Sequence, residues 1–233
     1  MQKHFLLLLM PIFELNNEIA FPPPYFAEED GLLAIGGDLS VERILCAYKN
    51  GIFPWFNPED PILWWSPDPR CVLFPHKFKI SKSLQKLLYK NVFEVSFNTC
   101  FSSVIENCAN VSRSEQPGTW ITPSIIEAYT RLHQLGWAHS VEVFQNGRLV
   151  GGLYGLAIGK IFYGESMFHL VSDASKVALF YWVEFLKERN FELIDNQTTT
   201  NHLLSLGAEE IDRKQFLDIL EQSTNSNEKL IIC

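Results

Sequence analysis

The run SVEVFQNGRLVGGLYGLAIGKIFYGESMF, from Ser140 to Phe168, constrains the fold more than any other stretch. Its apolar residues keep no helical period, and Asn146-Gly147 stands between two alternating segments. An Asn-Gly pair accepts positive φ at both turn positions, which suits the twist of paired strands. The run therefore reads as successive antiparallel strands, and a sheet of this kind must be covered by other elements. KISKSLQKLLYK, residues 79–90, spaces Ile80, Leu84, Leu87 and Leu88 as a helix does. VFEVSFN then alternates as a strand, FSSVIENCAN reads as a helix, and SIIEAYTRLHQLG as a helix ended by Gly136. After the strands come an amphipathic helix in SKVALFYWVEFLKERN, a buried strand in FELIDNQ and a last helix in RKQFLDILEQ. The polar tail from Ser223 is expected to fray.

The first third reads differently. Pro22–Pro24, Gly36–Asp38 and Pro54, Pro58, Pro61, Pro67 and Pro69 punctuate it with turns. Between them SVERILCAYKNG is a helix capped by Ser40 and stopped by Gly51. The expectation is an α+β protein: a small loop-rich domain over residues 1–75, then a domain over residues 76–233 with an antiparallel-rich central sheet. This element order resembles the acetyltransferase-like (GNAT) fold. Residues 1–10 read as an extension before the first strand, because the apolar run is short, Pro11 interrupts it and no small-residue cleavage site follows. Met10 is an alternative start. The run is also too short to span a bilayer, so no membrane is expected.

Cys46, Cys71, Cys100, Cys108 and Cys233 are odd in number and contain no C-x-x-C pair, which fits thiols in a reducing cytoplasm. His139, His169 and His202 lack metal-ligand spacing, so neither metal nor cofactor is expected. A net charge of −8 argues against a broad nucleic-acid surface. Any polyanion has to meet a local basic patch. Lys79, Lys82, Lys86 and Lys90, with Lys77, form one such row, although an exposed lysine face on a helix is also commonplace.

Seven blocks appear in order: LLAIGGDLS, GIFPWFNPEDPILWWSPDPR, GTWIT, GGLYG, FYGESMF, LIDNQ and SLGAEEI. Together they resemble the leucyl/phenylalanyl-tRNA-protein transferase family from about Ile12 to the last helix. The resemblance implies an aminoacyltransferase that moves Leu, Phe or Met from aminoacyl-tRNA to proteins bearing N-terminal Arg or Lys, marking them for degradation. A monomer without a small-molecule cofactor is expected, since no sequence feature calls for either a partner subunit or a cofactor. Aminolysis of an ester that is already activated needs a neutral amine, alignment, support for the oxyanion and a proton route.

Candidate residues follow. Asp195 and Gln197 alternate in FELIDNQ, so a regular strand points both to one face. This pair fits either a polar strand end or, by the resemblance, a catalytic Asp-x-Gln in which Asp195 holds the acceptor amine. Glu165 lies among Phe162, Met167 and Phe168, where a carboxylate needs a partner or a task. The resemblance gives it the 3′-terminal adenosine or the aminoacyl group; a structural salt bridge is the other reading. Leu153, Phe162, Met167, Leu179, Trp182 and Ile194 are apolar candidates for the pocket of the donor side chain; each by itself reads more often as core, and the resemblance places the pocket in these segments. Trp55 and Trp120 are candidates to stack on the terminal adenine. Trp64 and Trp65 read as packing residues, and Tyr48 and Tyr129 as nearby hydrogen-bond donors. Gly151, Gly152 and Gly155 read as positions of close backbone approach.

Two rivals are open. A coenzyme A-dependent N-acyltransferase wants a glycine-rich pyrophosphate loop before the helix that follows the strands. HLVSDASKVAL has no glycine there. A non-catalytic adaptor for basic N-termini suits the acidic charge but needs neither the apolar pocket nor the paired tryptophans.

Overall fold

The computed structural model describes residues 12–111, 119–224, 229, 230 and 232. The extension expected at residues 1–10 lies outside them. The α+β class is the observed one, in two sheets.

The turn-dense first third is not simply loop. Strands β1 (Phe13–Leu15), β2 (Leu32–Gly36), β3 (Phe53–Pro54) and β4 (Leu63–Trp65) make a four-stranded sheet in the order β1-β2-β4-β3. They are too short for periodicity to reveal, and their pairing is with distant sequence. Helix α1 (Val41–Lys49) starts where the Ser40 side chain accepts from the backbone N–H of Arg43, and it is followed by Gly51 at φ +72°. A Cβ is poorly tolerated at such a φ, which is why glycine ends the helix.

The larger sheet has seven strands in the order β11-β5-β10-β9-β8-β7-β6. They are β5 (Arg70–Leu73), β6 (Glu94–Phe97), β7 (Ala138–Gln145), β8 (Arg148–Ile158), β9 (Ile161–His169), β10 (Leu193–Gln197) and β11 (Glu209–Ile211). Only β9 and β10 run parallel. The Asn146-Gly147 hairpin is as expected, with φ +52° and +71°. Strand β5 belongs to this sheet although it precedes residue 75.

Alternation along β8 and β9 divides the core. Tyr154 and Tyr163 face the cluster closed by α1, α3 (Phe101–Asn110), α4 (Pro123–Gln134) and α7 (Arg213–Thr224). Leu153 and Phe162 face the cluster under α2 (Lys82–Lys90) and α5 (Ala174–Glu188). The short helix α6 (Asn201–Ser205) joins β10 to β11. Gly151 lets α5 approach, since a Cβ there would lie 2.6 Å from that of Ala174.

Two local expectations are corrected. Helix α2 begins at Lys82 with Ser81 as its cap, so Lys79 and Ile80 precede it and Ile80 is exposed. The chain does not fray at Ser223, which is buried inside α7. Beyond it, Lys229 donates to the carbonyl of Leu135, and Leu230 and Ile232 pack on the second cluster. Leu230 and Ile232 are apolar anchors that the polar sequence before them conceals.

Candidate active site

Strand β9 carries an extra residue where it meets β8. Tyr154 pairs with Ser166 and Gly155 with Gly164, leaving Glu165 opposite no partner. A bulge of this kind re-aims one side chain out of the sheet's alternation. The Glu165 side chain consequently reaches the tyrosines of the α1 and α4 layer. Tyr48 Oη donates to Oε1 at 2.7 Å, Tyr129 Oη to Oε2 at 3.2 Å, and the two phenol oxygens are 2.6 Å apart. Tyr163, two residues before Glu165 on β9, donates to the carbonyl of Tyr48 and ties α1 to the strand.

Among the described residues no cation forms a salt bridge with this carboxyl, so the salt-bridge reading of Glu165 is not what the geometry holds. Burial pushes its pKa up to about 8, partly opposed by the bonds from Tyr48 and Tyr129. The residue as a whole is half-buried, and each carboxyl oxygen has a tyrosine oxygen within hydrogen-bond distance. Proton counting points the same way. Three close oxygen pairs need three hydrogens, and two phenols supply two, both phenols being held protonated by burial. A protonated Glu165 supplies the third, one tyrosine then accepting from the carboxyl and donating to the other tyrosine.

Gln197 closes the other side. Its Nε2 is 3.5 Å from Glu165 Oε1. Turned about its amide, Gln197 instead donates to the carbonyls of Asn196 at 2.9 Å and Gly164 at 3.0 Å. That orientation satisfies two backbone acceptors and turns Oε1, not the amide nitrogen, toward Glu165. The backbone of Gln197 is left-handed, φ +60°, at a bulge of β10 opposite Cys71. The regular alternation expected of Asp195 and Gln197 is therefore broken.

Asp195 is fully buried, and Arg70 holds it with a fork: Nε to Oδ1 at 2.8 Å and Nη2 to Oδ2 at 2.7 Å. Oδ1 also accepts the backbone N–H of Gln197 at 3.0 Å. An amine that used Asp195 directly would have to displace this ion pair, which does not fit the role of amine holder expected from sequence. Arg70 is a site residue that sequence reasoning does not single out. It stands inside the block ending SPDPR, where nothing local marks a buried charge.

Residues 72–221 match the sequence family described as leucyl/phenylalanyl-tRNA protein transferase, and residues 37–68 match that family's N-terminal domain. Curated relatives bearing that name include one from Syntrophobacter fumaroxidans, 58% identical over 92% of each chain. A second from Syntrophotalea carbinolica is 54% identical over 92% of this chain and 93% of the relative. A third from an Azoarcus species is 56% identical over 90% of each. The chain belongs to the leucyl/phenylalanyl-tRNA-protein transferase family. This is a family of aminoacyltransferases. Solved structures with likeness to the chain include L-PGS from Bacillus licheniformis, 12% identical over 72% of this chain and 55% of that one, TM-score 0.38. An aminoglycoside acetyltransferase from an uncultured soil sample is 12% identical over 61% and 94%, TM-score 0.35. At that level the likeness carries no weight for the chemistry.

In this transferase-family chain the six donor-pocket candidates are brought together. Leu153 pairs with Met167 across β8 and β9, Phe162 with Ile194 across β9 and β10, and the Phe162 and Trp182 rings are 4.9 Å apart. Leu179 lies in the same cluster. Met167 is the one of the six that is not buried. Trp182 is wedged among Phe97, Phe162 and Phe185. Trp55 is 38% exposed, with its ring edge-on to Trp65, whereas Trp120 packs partly buried against the first cluster. Trp64, read as a packing residue, is fully buried and donates to the carbonyl of Gly36. Lys79, Lys82, Lys86 and Lys90 are exposed, and no carboxylate pairs with them among the described residues. Lys77 pairs with Glu209. No helix among the described residues is long and apolar enough to cross a membrane.

Proposed function

We propose that this chain transfers leucine, phenylalanine or methionine from aminoacyl-tRNA to proteins with N-terminal Arg or Lys, forming a peptide bond that marks them for degradation. The observation that carries the reading is Glu165, turned out of a strand bulge and ringed by Tyr48, Tyr129 and Gln197, on a strand whose Phe162 and Met167 belong to the apolar cluster of the sheet's other face. The ester is activated before it arrives, so the protein has to align the amine and move a proton from nitrogen to the leaving 3′-oxygen.

In this reading the donor side chain enters the cluster of Leu153, Phe162, Met167, Leu179, Trp182 and Ile194 past Met167, the most adaptable of the six. The terminal adenine stacks on Trp55 and Trp120, and the phosphates follow Lys79, Lys82, Lys86 and Lys90. Glu165 faces the ester, with a pKa near that of a free α-amine, about 8. Matched affinities let it pass a proton either way at little cost. Gln197 orients the reacting groups, and Asp195 serves from behind by fixing Gln197. The enzyme works as a cytoplasmic monomer.

The test follows radiolabelled leucine from Leu-tRNA onto a peptide beginning with Arg. Transfer by wild type and its sharp reduction in Glu165→Gln are expected. A folded wild type that transfers nothing from Leu-, Phe- or Met-tRNA would overturn the reading and favour the adaptor.

A further inference from the structure

The Arg70 guanidinium is enclosed on every side. Its residue is 1% exposed, and its faces are covered by Phe53 at 4.8 Å and Phe216 at 4.6 Å from the ring centroids. One edge grips both oxygens of Asp195, and Nη1 donates to the carbonyl of Gly51 at 3.2 Å. The arginine therefore joins three pieces distant in sequence: the segment from Gly51 to Phe53 that follows α1 and opens β3, strand β10, and helix α7. Buried ion pairs add little net stability over an apolar replacement, because desolvation offsets their attraction. A fold that needed only cohesion here could use Leu or Met.

The arrangement does something that cohesion does not require. The same Asp195 oxygen that accepts from Arg70 Nε also accepts the N–H of Gln197. That bond closes over Asn196 and holds Gln197 at φ +60°, a conformation that costs a side-chain-bearing residue energy unless its surroundings impose it. Released to ordinary strand geometry, the Gln197 side chain would leave Gly164 and Glu165. We infer that Arg70 is a positioning residue for transfer, acting through Asp195 on the backbone of Gln197 so that the Gln197 amide meets Glu165. Arg is needed rather than Lys because only a planar fork fixes both carboxylate oxygens at once. A single ammonium leaves the carboxylate free to rotate and the Gln197 N–H without a fixed acceptor.

This inference rests on the transferase reading, and its test separates the two. Steady-state leucine transfer is measured for wild type, Arg70→Lys and Arg70→Ala, each checked by circular dichroism and thermal melting. For Arg70→Lys, kcat falls roughly 100-fold, the scale on which misplacement by about 1 Å acts. Its KM for Leu-tRNA stays within about twofold, because the groups that bind the donor are intact. For Arg70→Ala, millimolar guanidinium enters the space between Phe53 and Phe216 and restores part of kcat. The same addition does nothing for Glu165→Gln. Wild-type kcat in Arg70→Lys overturns the inference and leaves the transferase reading standing. So does a loss confined to KM, or an Arg70→Ala defect that follows the unfolded fraction and ignores guanidinium. If Arg70→Ala does not fold, the kcat of Arg70→Lys decides. A wild type without transfer removes the transferase reading, and the positioning role with it.

Discussion

At the scale of single residues, the central quantity is the proton on Glu165. Its pKa in the folded state, about 8, lies above the ordinary carboxylate value of 4.5. The folded protein therefore holds a proton that the unfolded chain releases near pH 4.5. The sign follows: the contribution to stability is fully present below about pH 4.5 and is lost as pH rises through 8. Melting temperatures of wild type and Glu165→Gln, followed from pH 5 to pH 9, should diverge as pH rises, with wild type losing ground. Parallel curves would mean that Glu165 titrates normally and that the three-hydrogen reading of the tyrosine triangle is wrong. This test is cleaner than a pH-rate profile, since the acceptor amine titrates in the same range. His139 shows the opposite case. Burial lowers its pKa to about 4, so its neutral form dominates throughout the range in which Glu165 changes charge.

At the scale of elements, β8, β9 and α5 act as one unit. Gly151 lies against the first turn of α5, with the Ala174 Cβ 2.6 Å and the Ser175 nitrogen 3.2 Å from where a side chain would begin. Gly151→Ala must push the helix off the sheet, and overpacking of this kind costs about 1–3 kcal/mol. Urea unfolding should show that loss. Leu179 and Trp182 ride on the same helix, so transfer from Phe-tRNA and from Leu-tRNA should change in ratio as well as in amount. The bulge at Glu165 belongs to this scale too. Alternation predicts strands well, but it cannot mark where one residue slips out of register. The slip is decided by how β8 and β9 fit each other, and it alone turns Glu165 toward α1 and α4.

At the scale of the whole molecule, the charge of −8 and a polyanionic substrate have to be reconciled. The four exposed lysines at residues 79–90 are the local answer proposed here. Replacing Lys82, Lys86 and Lys90 together with Ala should raise the KM for Leu-tRNA while kcat is kept. It should also flatten the salt dependence of binding by about one unit of slope for each phosphate that is no longer neutralised. An unchanged salt slope would place the phosphate track elsewhere on the surface. Trp55→Ala should weaken binding of the donor by about 1–3 kcal/mol, the range for one stacked base, with salt dependence unaffected.

What the sequence determined by itself is local. The Asn146-Gly147 hairpin, the Ser40 cap, the helical spacing of α4 and α5 and the ordered motif blocks all depend on neighbours within a few residues. They were legible for that reason, and so was the family. The four-stranded first sheet was not, because strands of two to five residues carry too little pattern and are made by distant pairing. Arg70 was not, because the burial of a charge depends on which rings and carboxylate the fold brings round it, here Phe53, Phe216 and Asp195. The site shows the same division. Sequence named Glu165, Asp195 and Gln197, but tertiary structure decided which one faces the tyrosines, which is locked by an arginine and which is bent into the left-handed region. Those outcomes come from register slips and long-range packing, and no local preference of the residues encodes them.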